Sequence, residues 1–331
     1  LQACYEYLTK EFLDKENHIR YFRMNDWIQG SLWSSVKPIN SSLRKELGSE
    51  SAKLIIKLNQ TKLDYKRDDF DWDLSNYLWI ERYYKKFDIG RKRKNIIKNL
   101  LENLKNNDSK YKRLRKRLIH NDLNDNNIIV SEDLKNPKIL GFIDFGDCIK
   151  SQLINELAIT CTYGIINSLN PLNSACDIVK GFNQEIPVTE IEIEFLYDLI
   201  LIRISISILK SALNEKSNPE NNYLQVSKND MLSVFDKWSK IDRGLAIHFF
   251  RNACNFTPNV NEKKFNRLIP QNKSSIDKLF GKNEIDKLQK LDLSVSSNWL
   301  SSDLINDIDL FEKKINQNSS STFFGGYSEI R

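Results

Sequence analysis

The sequence between residues 118 and 147 constrains the fold of this chain more than any other part of it. Two short apolar runs, residues 128–130 and 139–143, are separated by Asn136-Pro137, a pair that interrupts regular structure. Strand-like runs on either side of such a break predict a β-hairpin. Side chains that carry oxygen atoms lie at the ends of both runs. The hairpin is therefore expected to hold a polar site.

Three of these side chains have the chemistry of a site for a hard cation. Asp122, Asn127 and Asp144 would supply two carboxylates and an amide oxygen, which are ligands that Mg²⁺ accepts. Together with His120 they follow the pattern H-x-D-x-x-x-x-N and then D-F-G, which is typical of phosphoryl transfer in kinase-like enzymes. Asp122 would orient the attacking hydroxyl and accept its proton, while Asn127 and Asp144 would hold the ions that bridge the ATP phosphates.

The loop by itself has a simpler interpretation. Asn and Asp side chains cap their own backbone, so residues 120–127 could be only a solvated turn. The D-F-G at residues 144–146 follows at the expected distance and lies beside strand-like runs. This second motif favours the catalytic interpretation.

The motif departs from that of protein kinases in ways that indicate another family. His120-Asn121-Asp122 lacks the usual arginine, no A-P-E follows, and Asp147 extends the second motif to I-D-F-G-D. The chain resembles the aminoglycoside phosphotransferase and choline kinase superfamily, and within it the hydroxylysine-kinase-like proteins. The segments that carry the resemblance are residues 120–127, 143–147 and 156–160 and, more weakly, 223–224 and 250–254.

This resemblance implies a fold and an activity. The fold would be α+β and mostly helical, like that of protein kinases, with a helical C-terminal lobe. The activity would be transfer of a phosphoryl group from ATP or GTP, with Mg²⁺, to a hydroxyl of a small amine-bearing metabolite such as hydroxylysine, an amino alcohol or an aminoglycoside-like compound. Asp122 would be the catalytic base, and His120 would organise the loop.

The resemblance also nominates residues around the acceptor, because the helical lobe carries the acceptor pocket in this superfamily. Candidates for contacting the substrate or supporting the site are Asp147, Glu156, Tyr163, Arg203 and Tyr223. For each of the last four, a role in the core is the alternative.

The first 30 residues predict only a small part of an N-terminal lobe. Residues 19–24 alternate like a strand and residues 25–30 form a connector, which in kinase-like folds would be the hinge beside the adenine; an edge strand and a turn are the alternative. Residues 6–16 resemble the end of a helix. Neither G-x-G-x-x-G nor V-A-I-K occurs, so the phosphate-covering loop and lysine of the N-terminal lobe are expected to be largely missing.

Three regions are expected along the chain. Residues 1–30 would be a remnant of the N-terminal lobe and hinge, residues 31–256 the C-terminal lobe, and residues 257–331 a linker-like extension. The chain starts with Leu1 rather than methionine, which suggests an excerpt of a longer protein. The final region weakly resembles the linker in fusion proteins that join such kinases to a peptidase-like domain and a pyridoxal-phosphate aminotransferase.

Capping residues place most of the predicted helices. Asn40 would begin a helix to about residue 63, Asp71 a second one, and a third would cover residues 92–106. Further along, Pro171 would start and Gly181 would end a helix, and Thr189 with Glu192 would form a capping box for a long helix to about residue 215.

Composition narrows the class of protein further. Net charge is +6, and much of the excess lies in residues 91–117, where Lys and Arg alternate with Ile and Leu at helical spacing. This pattern favours an exposed helix face over a nucleic-acid surface.

The five cysteines show no C-x-x-C spacing, which is typical of buried thiols in a reducing compartment, so a cytoplasmic protein is expected. No apolar run reaches the roughly 18 residues of a membrane span, and no membrane partner is expected.

Two functions of different classes are compatible with these motifs. The first is a phosphotransferase, and the alternative is a non-catalytic pseudokinase or regulatory module of a larger protein. The intact Asp122, Asn127 and Asp144 favour catalysis. The missing N-terminal lobe predicts low activity for the 331-residue chain, because positioning and charge neutralisation do most of the work in phosphoryl transfer.

Overall fold

The computed structural model describes residues 9–23, 26–61, 63–67, 69–133, 135–217 and 222–257. Within these ranges the protein is mostly helical, with three small antiparallel sheets of two or three strands. This is the α+β, mainly helical architecture that the resemblance implied. None of the described helices is both long enough and apolar enough to cross a lipid bilayer.

The chain begins with a hairpin of β1 (Thr9–Leu13) and β2 (Ile19–Arg23), paired with Thr9 opposite Arg23. The expected helix over residues 6–16 is therefore wrong for residues 9–16. The turn explains the difference, because Asp14 Oδ1 accepts hydrogen bonds from the backbone N–H of Glu16 and His18, each at 2.9 Å. An Asx turn of this kind competes with a helix and joins two strands instead. Residues 6–8 lie outside the described ranges.

Among the described helices, α1 (Ser41–Gln60) and α6 (Pro171–Glu185) pack against each other most extensively. Asn40 caps α1 as predicted, because its side chain accepts a hydrogen bond from the Leu43 N–H at 2.8 Å. Gly181 was predicted to end α6, and this is wrong. A Cβ at Gly181 would lie 1.8 Å from the Lys45 carbonyl oxygen, so this glycine lets two backbones touch inside a continuing helix.

The region between α1 and the loop of residues 120–127 is less regular than predicted. A 3-10 helix covers Leu74–Trp79 and is followed by α2 (Ile80–Tyr83), α3 (Arg91–Asn106) and α4 (Asp108–Lys112). The prediction that Asp71 caps the first of these is wrong. Asp73 caps it by accepting from the Ser75 N–H at 3.0 Å, and it also accepts from the Ser151 hydroxyl at 2.7 Å. This contact with a distant part of the chain selects Asp73 over Asp71.

Helix α5 (Leu153–Gly164) lies in the centre of the helical lobe, and every one of its residues is buried. It packs against α6 and against α7 (Glu190–Ser217), which begins at the predicted capping box of Thr189 and Glu192. Helices α8 (Asn222–Trp238) and α9 (Arg243–Ala253) complete the lobe. The core thus surrounds one apolar helix that follows the D-F-G motif.

Two small sheets hold the motif segments. Strands β3 (Ser31–Leu32), β5 (Ile128–Val130) and β6 (Ile139–Phe142) form one sheet in the order β3-β5-β6. Strands β4 (Lys116–Ile119) and β7 (Ile149–Gln152) form the other. The predicted hairpin is the β5–β6 pair. Residues 120–127 connect β4 to β5 and residues 143–148 connect β6 to β7, so both connections run between the same two sheets.

Candidate active site

Asp122 is the most strongly held side chain of the loop between β4 and β5. Its Oδ2 accepts hydrogen bonds from Asn124 Nδ2 at 2.9 Å and from Asn127 Nδ2 at 3.0 Å. Its Oδ1 accepts from Arg203 Nη2 at 2.7 Å. The Asp122 side chain is 22% exposed, whereas Arg203 is completely buried. Both carboxylate oxygens are therefore oriented from within the protein while the group still reaches solvent.

Asn127 lies next to Asp122 with its amide in a defined orientation. Its Nδ2 donates to Asp122 Oδ2 and also to the Asp122 backbone carbonyl at 2.9 Å. Both contacts use the amide nitrogen, and no hydrogen bond within the described ranges engages Oδ1. The amide oxygen of Asn127, Oδ1, can therefore bind another group such as a metal ion.

Asp144 begins the connection between β6 and β7. Its backbone has φ 62° and ψ 72°, a left-handed conformation that Asp adopts more readily than most residues, and its side chain is exposed. The residue before it, Ile143, donates its N–H to the Asn127 carbonyl at 3.0 Å. This hydrogen bond brings the end of the first motif segment, residues 120–127, next to the start of the second, residues 143–147, at one end of the β5–β6 pair.

His120 connects the two motif segments. Its Nε2 lies 3.0 Å from the Ile143 carbonyl oxygen, and the Asp122 N–H donates to its Nδ1 at 3.3 Å. Its ring lies against Phe145, with the ring centroids 4.8 Å apart. Burial lowers the pKa of His120 to about 4, so the ring is neutral at neutral pH. The neutral ring can then donate through Nε2 and accept through Nδ1, as these contacts require.

Arg203 on α7 lies below the loop. Besides Asp122, it donates through Nη1 to the Asn121 carbonyl at 3.5 Å and through Nε to the Tyr163 hydroxyl at 3.3 Å. Its guanidinium carbon lies 4.6 Å from the centre of the Trp72 ring and 5.3 Å from that of Tyr163. Aromatic faces stabilise a cation in this position. Two of the nominated residues, Arg203 and Tyr163, thus meet beneath Asp122.

Glu156 on α5 also supports the loop from inside. It is completely buried, and its Oε2 accepts from the Asn121 N–H at 2.9 Å. Burial raises the pKa of Glu156 to about 7. Its Oε1 has no hydrogen-bond partner within the described ranges. Glu156 therefore contacts the loop backbone and has no surface that an acceptor could touch.

Two nominated residues remain, Asp147 and Tyr223. Asp147 accepts from Arg67 Nη1 at 3.2 Å, and both side chains are partly exposed. Tyr223 belongs to α8, but its side chain lies outside the described part of the structure.

Sequence reasoning missed Asn124 and Trp72, which contact Asp122 and Arg203 respectively. Asn124 stands within the loop motif, where its spacing from Asp122 could have indicated it. Trp72 is separated from Arg203 by 131 positions, and nothing in the local pattern joins them.

The donors at this site fit a magnesium ion that is shared with phosphates. Within the described ranges, no three His, Cys, Asp or Glu side chains come together to hold a metal. Asn127 Oδ1 and the Asp144 carboxylate offer oxygen atoms only. Mg²⁺ commonly takes one or two protein carboxylates and completes its shell with water and substrate phosphates. The residues present therefore suit Mg²⁺ with a nucleotide and do not suit a metal bound by protein alone.

Solved structures of related shape include two small-molecule kinases. One is the amicoumacin kinase hAmiN in complex with AMP-PNP, Ca²⁺ and Ami, with a TM-score of 0.49 and 15% identity over 71% of each chain. The other is the microcompartment-associated aminopropanol kinase, with a TM-score of 0.49 and 15% identity over 75% of this chain and 73% of that one.

Two curated proteins are similar to this chain in sequence. Hydroxylysine kinase of Mus musculus is 30% identical over 191 residues, which is 55% of this chain and 50% of that protein. Hydroxylysine kinase of Danio rerio is 31% identical over 195 residues, 58% of this chain and 55% of that protein. The chain thus spans about half the length of the curated relatives it matches. The model of the APH phosphotransferase enzyme family matches residues 5–175, more than half of the chain. The chain therefore belongs to the APH phosphotransferase enzyme family.

Proposed function

We propose that this protein transfers a phosphoryl group from ATP or GTP to a hydroxyl of a small amine-bearing metabolite, such as hydroxylysine, an amino alcohol or an aminoglycoside-like compound. The observation that carries the proposal is the orientation of Asp122 by three donors, from Asn124, Asn127 and Arg203. Its hydroxylysine kinase relatives support the choice of acceptor.

Asp122 would act on the acceptor hydroxyl. Its carboxylate is partly exposed and fixed on both oxygens, so a hydroxyl could approach it in one defined direction. A base held in this way orients the attacking oxygen toward the terminal phosphate and accepts its proton. Arg203 and Glu156 would act through the loop as positioning residues, because the structure gives them no open surface.

Asn127 and Asp144 would hold Mg²⁺ through oxygen atoms. The bound ion would neutralise the charge of the nucleotide phosphates and so favour transfer. His120 would keep the two ligands together, since its neutral ring contacts both motif segments. The side chain of Asp147, paired with Arg67, would contribute only indirectly.

A non-catalytic regulatory module is the second candidate function. The observation that favours it is that no glycine-rich phosphate-covering motif, G-x-G-x-x-G, occurs among the 331 residues. Without that cover, Asp122 and the metal ligands could still bind a nucleotide weakly, and turnover by the 331-residue chain would be low. We also propose that residues 1–30 belong to a second lobe, that residues 31–256 form the helical lobe and that residues 257–331 form a linker.

The direct test measures phosphate transfer from ATP and GTP with Mg²⁺ to hydroxylysine, ethanolamine and an aminoglycoside. Asp122→Asn should lower kcat by roughly 10²–10⁴-fold, the size expected for loss of a general base. Asp144→Asn should abolish metal-dependent binding of nucleotide in calorimetry. Asp133→Asn, which changes an exposed acid in the β5–β6 turn, is the matched control and should leave both quantities unchanged.

Two results would contradict the proposal. Transfer that survives Asp122→Asn at the normal rate would exclude Asp122 as the base. Nucleotide binding without any transfer, under all acceptors and with both nucleotides, would instead favour the regulatory module.

A further inference from the structure

The guanidinium of Arg203 engages the carboxylate of Asp122 through one oxygen atom. Arginine and carboxylate side chains frequently form two parallel hydrogen bonds, one to each oxygen. Among the hydrogen bonds of the described residues, only Arg203 Nη2 donates to this carboxylate, at 2.7 Å from Oδ1. The other oxygen, Oδ2, accepts from Asn124 and Asn127 instead. A further contact is therefore needed to hold the guanidinium away from the arrangement in which it would bind both oxygens.

The remaining hydrogen bonds of Arg203 are too long to fix its orientation. Its Nε lies 3.3 Å from the Tyr163 hydroxyl, and its Nη1 lies 3.5 Å from the carbonyl oxygens of both Trp72 and Asn121. These distances exceed the roughly 2.7–3.2 Å of ordinary N–H···O hydrogen bonds. Since the Arg203 side chain is completely buried, solvent does not hold it either.

The ring of Trp72 is the contact that can fix the plane of the guanidinium. The Arg203 Cζ lies 4.6 Å from the centre of the Trp72 ring and 5.3 Å from that of Tyr163. Trp is the aromatic side chain that attracts a cation most strongly, and the attraction is larger where water is excluded. Trp72 therefore contacts the guanidinium with its ring as well as with its backbone carbonyl.

Trp72 is held in place by its two neighbours in the sequence. Asp71 forms an ion pair with Lys210 on α7, and its carbonyl accepts from Trp79 Nε1 at 2.8 Å. Asp73 accepts from a serine hydroxyl on β7 at 2.7 Å. The Trp72 side chain between these two anchored residues is only partly buried. The segment of residues 71–73 thus gives the ring a defined position against Arg203.

We propose that Trp72 is a positioning residue for the transfer reaction, which keeps the Arg203 guanidinium on Oδ1 of Asp122 and prevents it from binding both oxygens. Oδ2 then stays with the two loop amides, and the carboxylate keeps its solvent-facing side for a hydroxyl. Without the ring, the guanidinium would turn toward the stronger two-oxygen pair and draw Asp122 away from the acceptor. The effect on rate rests on the proposed function, whereas the orientation can be measured without transfer.

The first test is the kinetics of phosphate transfer. Trp72→Leu should lower kcat by roughly 10–100-fold and leave KM for ATP within about threefold, because it displaces the base and not the nucleotide. Trp72→Phe keeps an aromatic face and should recover most of this loss. If Trp72→Leu does not fold, Trp72→Met, whose flexible side chain fills the same space, replaces it.

A double variant shows whether Trp72 acts through Arg203. Trp72→Leu combined with Arg203→Lys should have a kcat within about threefold of Arg203→Lys alone, because the second change already removes the group that the ring holds. Losses that multiply would mean that Trp72 acts elsewhere and would overturn the inference.

The second test needs no activity. In proton–nitrogen correlation spectra, the Arg203 Nε–H signal, identified by its absence from Arg203→Lys, should move in Trp72→Leu and return toward its original position in Trp72→Phe. A ring shifts the resonances of protons that lie over its face. A crystal structure of Trp72→Leu should show Arg203 donating to both oxygens of Asp122.

Trp238→Phe is the control for loss of stability, because Trp238 is fully buried and packs against Tyr197 and Phe250. It should lower the melting temperature and leave kcat and the Arg203 signal unchanged. An unchanged kcat or an unchanged Arg203 orientation in Trp72→Leu, an equal loss in Trp72→Phe, or an equal effect of Trp238→Phe would overturn the inference. A displaced Arg203 in a chain whose wild type transfers no phosphate would uphold the positioning and remove the proposed function.

Discussion

At the scale of single residues, the arrangement of the candidate site depends on a side chain that is buried away from solvent. Arg203 is fully buried and reaches Asp122, Asn121 and Tyr163 at once. A buried guanidinium that contacts several groups holds them in one arrangement. Its removal would leave the carboxylate and carbonyl oxygens without their hydrogen-bond donor. The orientation of Asp122 is therefore set by α7 as much as by its own loop.

The first prediction concerns this orientation. Arg203→Lys keeps the positive charge but loses the planar guanidinium, which contacts Asp122, Asn121 and Tyr163 together. The carboxylate of Asp122 should therefore move from its present position. We expect kcat to fall by about 10²-fold, as small misplacements of catalytic groups do, with KM for ATP changed less than about threefold. A parallel loss of nucleotide affinity would instead show that Arg203 supports only the general fold.

The second prediction concerns Glu156 and pH. Its folded-state pKa of about 7 is above its ordinary value, so the folded protein holds this proton more tightly than the unfolded chain. The associated stability is present below about pH 4.5 and is lost as pH rises through 7. Glu156→Gln, which cannot ionise, should be more stable than the wild type at pH 8 by about 1–3 kcal/mol, and this difference should shrink toward pH 5.

Urea unfolding of both proteins at pH 5 and pH 8 measures this difference. Each comparison is made at one pH, so the titration of His120 affects both proteins alike. Glu102→Gln changes an exposed glutamate on α3 and should show no such trend. If the two proteins differ in unfolding free energy by the same amount at pH 5 and pH 8, then Glu156 does not change its protonation state between these pH values in the folded protein.

At the scale of elements, the site is supported by close contact between helices. Gly48 on α1 and Gly181 on α6 lie where the two backbones approach each other, and a Cβ at either position would fall within 2 Å of a carbonyl oxygen. Helix α1 in turn contacts α5, which carries Glu156 beneath the loop of residues 120–127. Spacing between these helices therefore affects the position of the loop.

The third prediction concerns this contact. Alanine usually stabilises the interior of a helix by up to about 1 kcal/mol relative to glycine. Gly181→Ala should do the opposite and lower the free energy of unfolding by about 2–4 kcal/mol, because the new methyl group forces α1 and α6 apart. Gln184→Ala, on the exposed face of the same helix, should stay within about 0.5 kcal/mol of the wild type in urea unfolding. A stabilised Gly181→Ala variant would show that the helices can separate without cost.

At the scale of the whole molecule, the proposed limits of the helical lobe can be tested by truncation. Helix α9 buries Ala246 and Phe250 against the core, and Arg251 pairs with Glu190 at the start of α7. The Arg251 side chain also donates to the Thr257 carbonyl at 2.7 Å. These contacts make residues up to 257 part of the lobe.

The fourth prediction follows from these contacts. A chain that ends at Thr257 should melt within about 2 °C of the 331-residue chain, whereas one that ends at Asp242 should melt at least about 8 °C lower because α9 is lost. Thermal unfolding followed by circular dichroism gives both values. A large loss on removal of residues 258–331 alone would assign them to the lobe rather than to a linker.

Much of the site could be predicted because its information is local. His120, Asp122 and Asn127 stand within eight positions, and the D-F-G follows after one hairpin, so the spacing itself predicted that these residues lie together. The caps of α1 and α7 are local for the same reason, because a capping side chain bonds to an N–H three positions away. The strand of residues 9–13 was not predicted, because residues 6–16 resemble the end of a helix when taken alone. The Asx turn at Asp14 reverses the chain and pairs this strand with residues 19–23 instead.

The sequence by itself determined the motif, the hairpin that bears it and the helical character of the lobe, since each depends on neighbours in the chain. Only the tertiary structure decided that Arg203 reaches Asp122 across 81 positions and that Gly181 lies inside a helix. It also placed the Trp72 ring against the Arg203 guanidinium. The physical reason is that burial and contacts between distant residues depend on which surfaces pack together, and short-range spacing does not encode that packing.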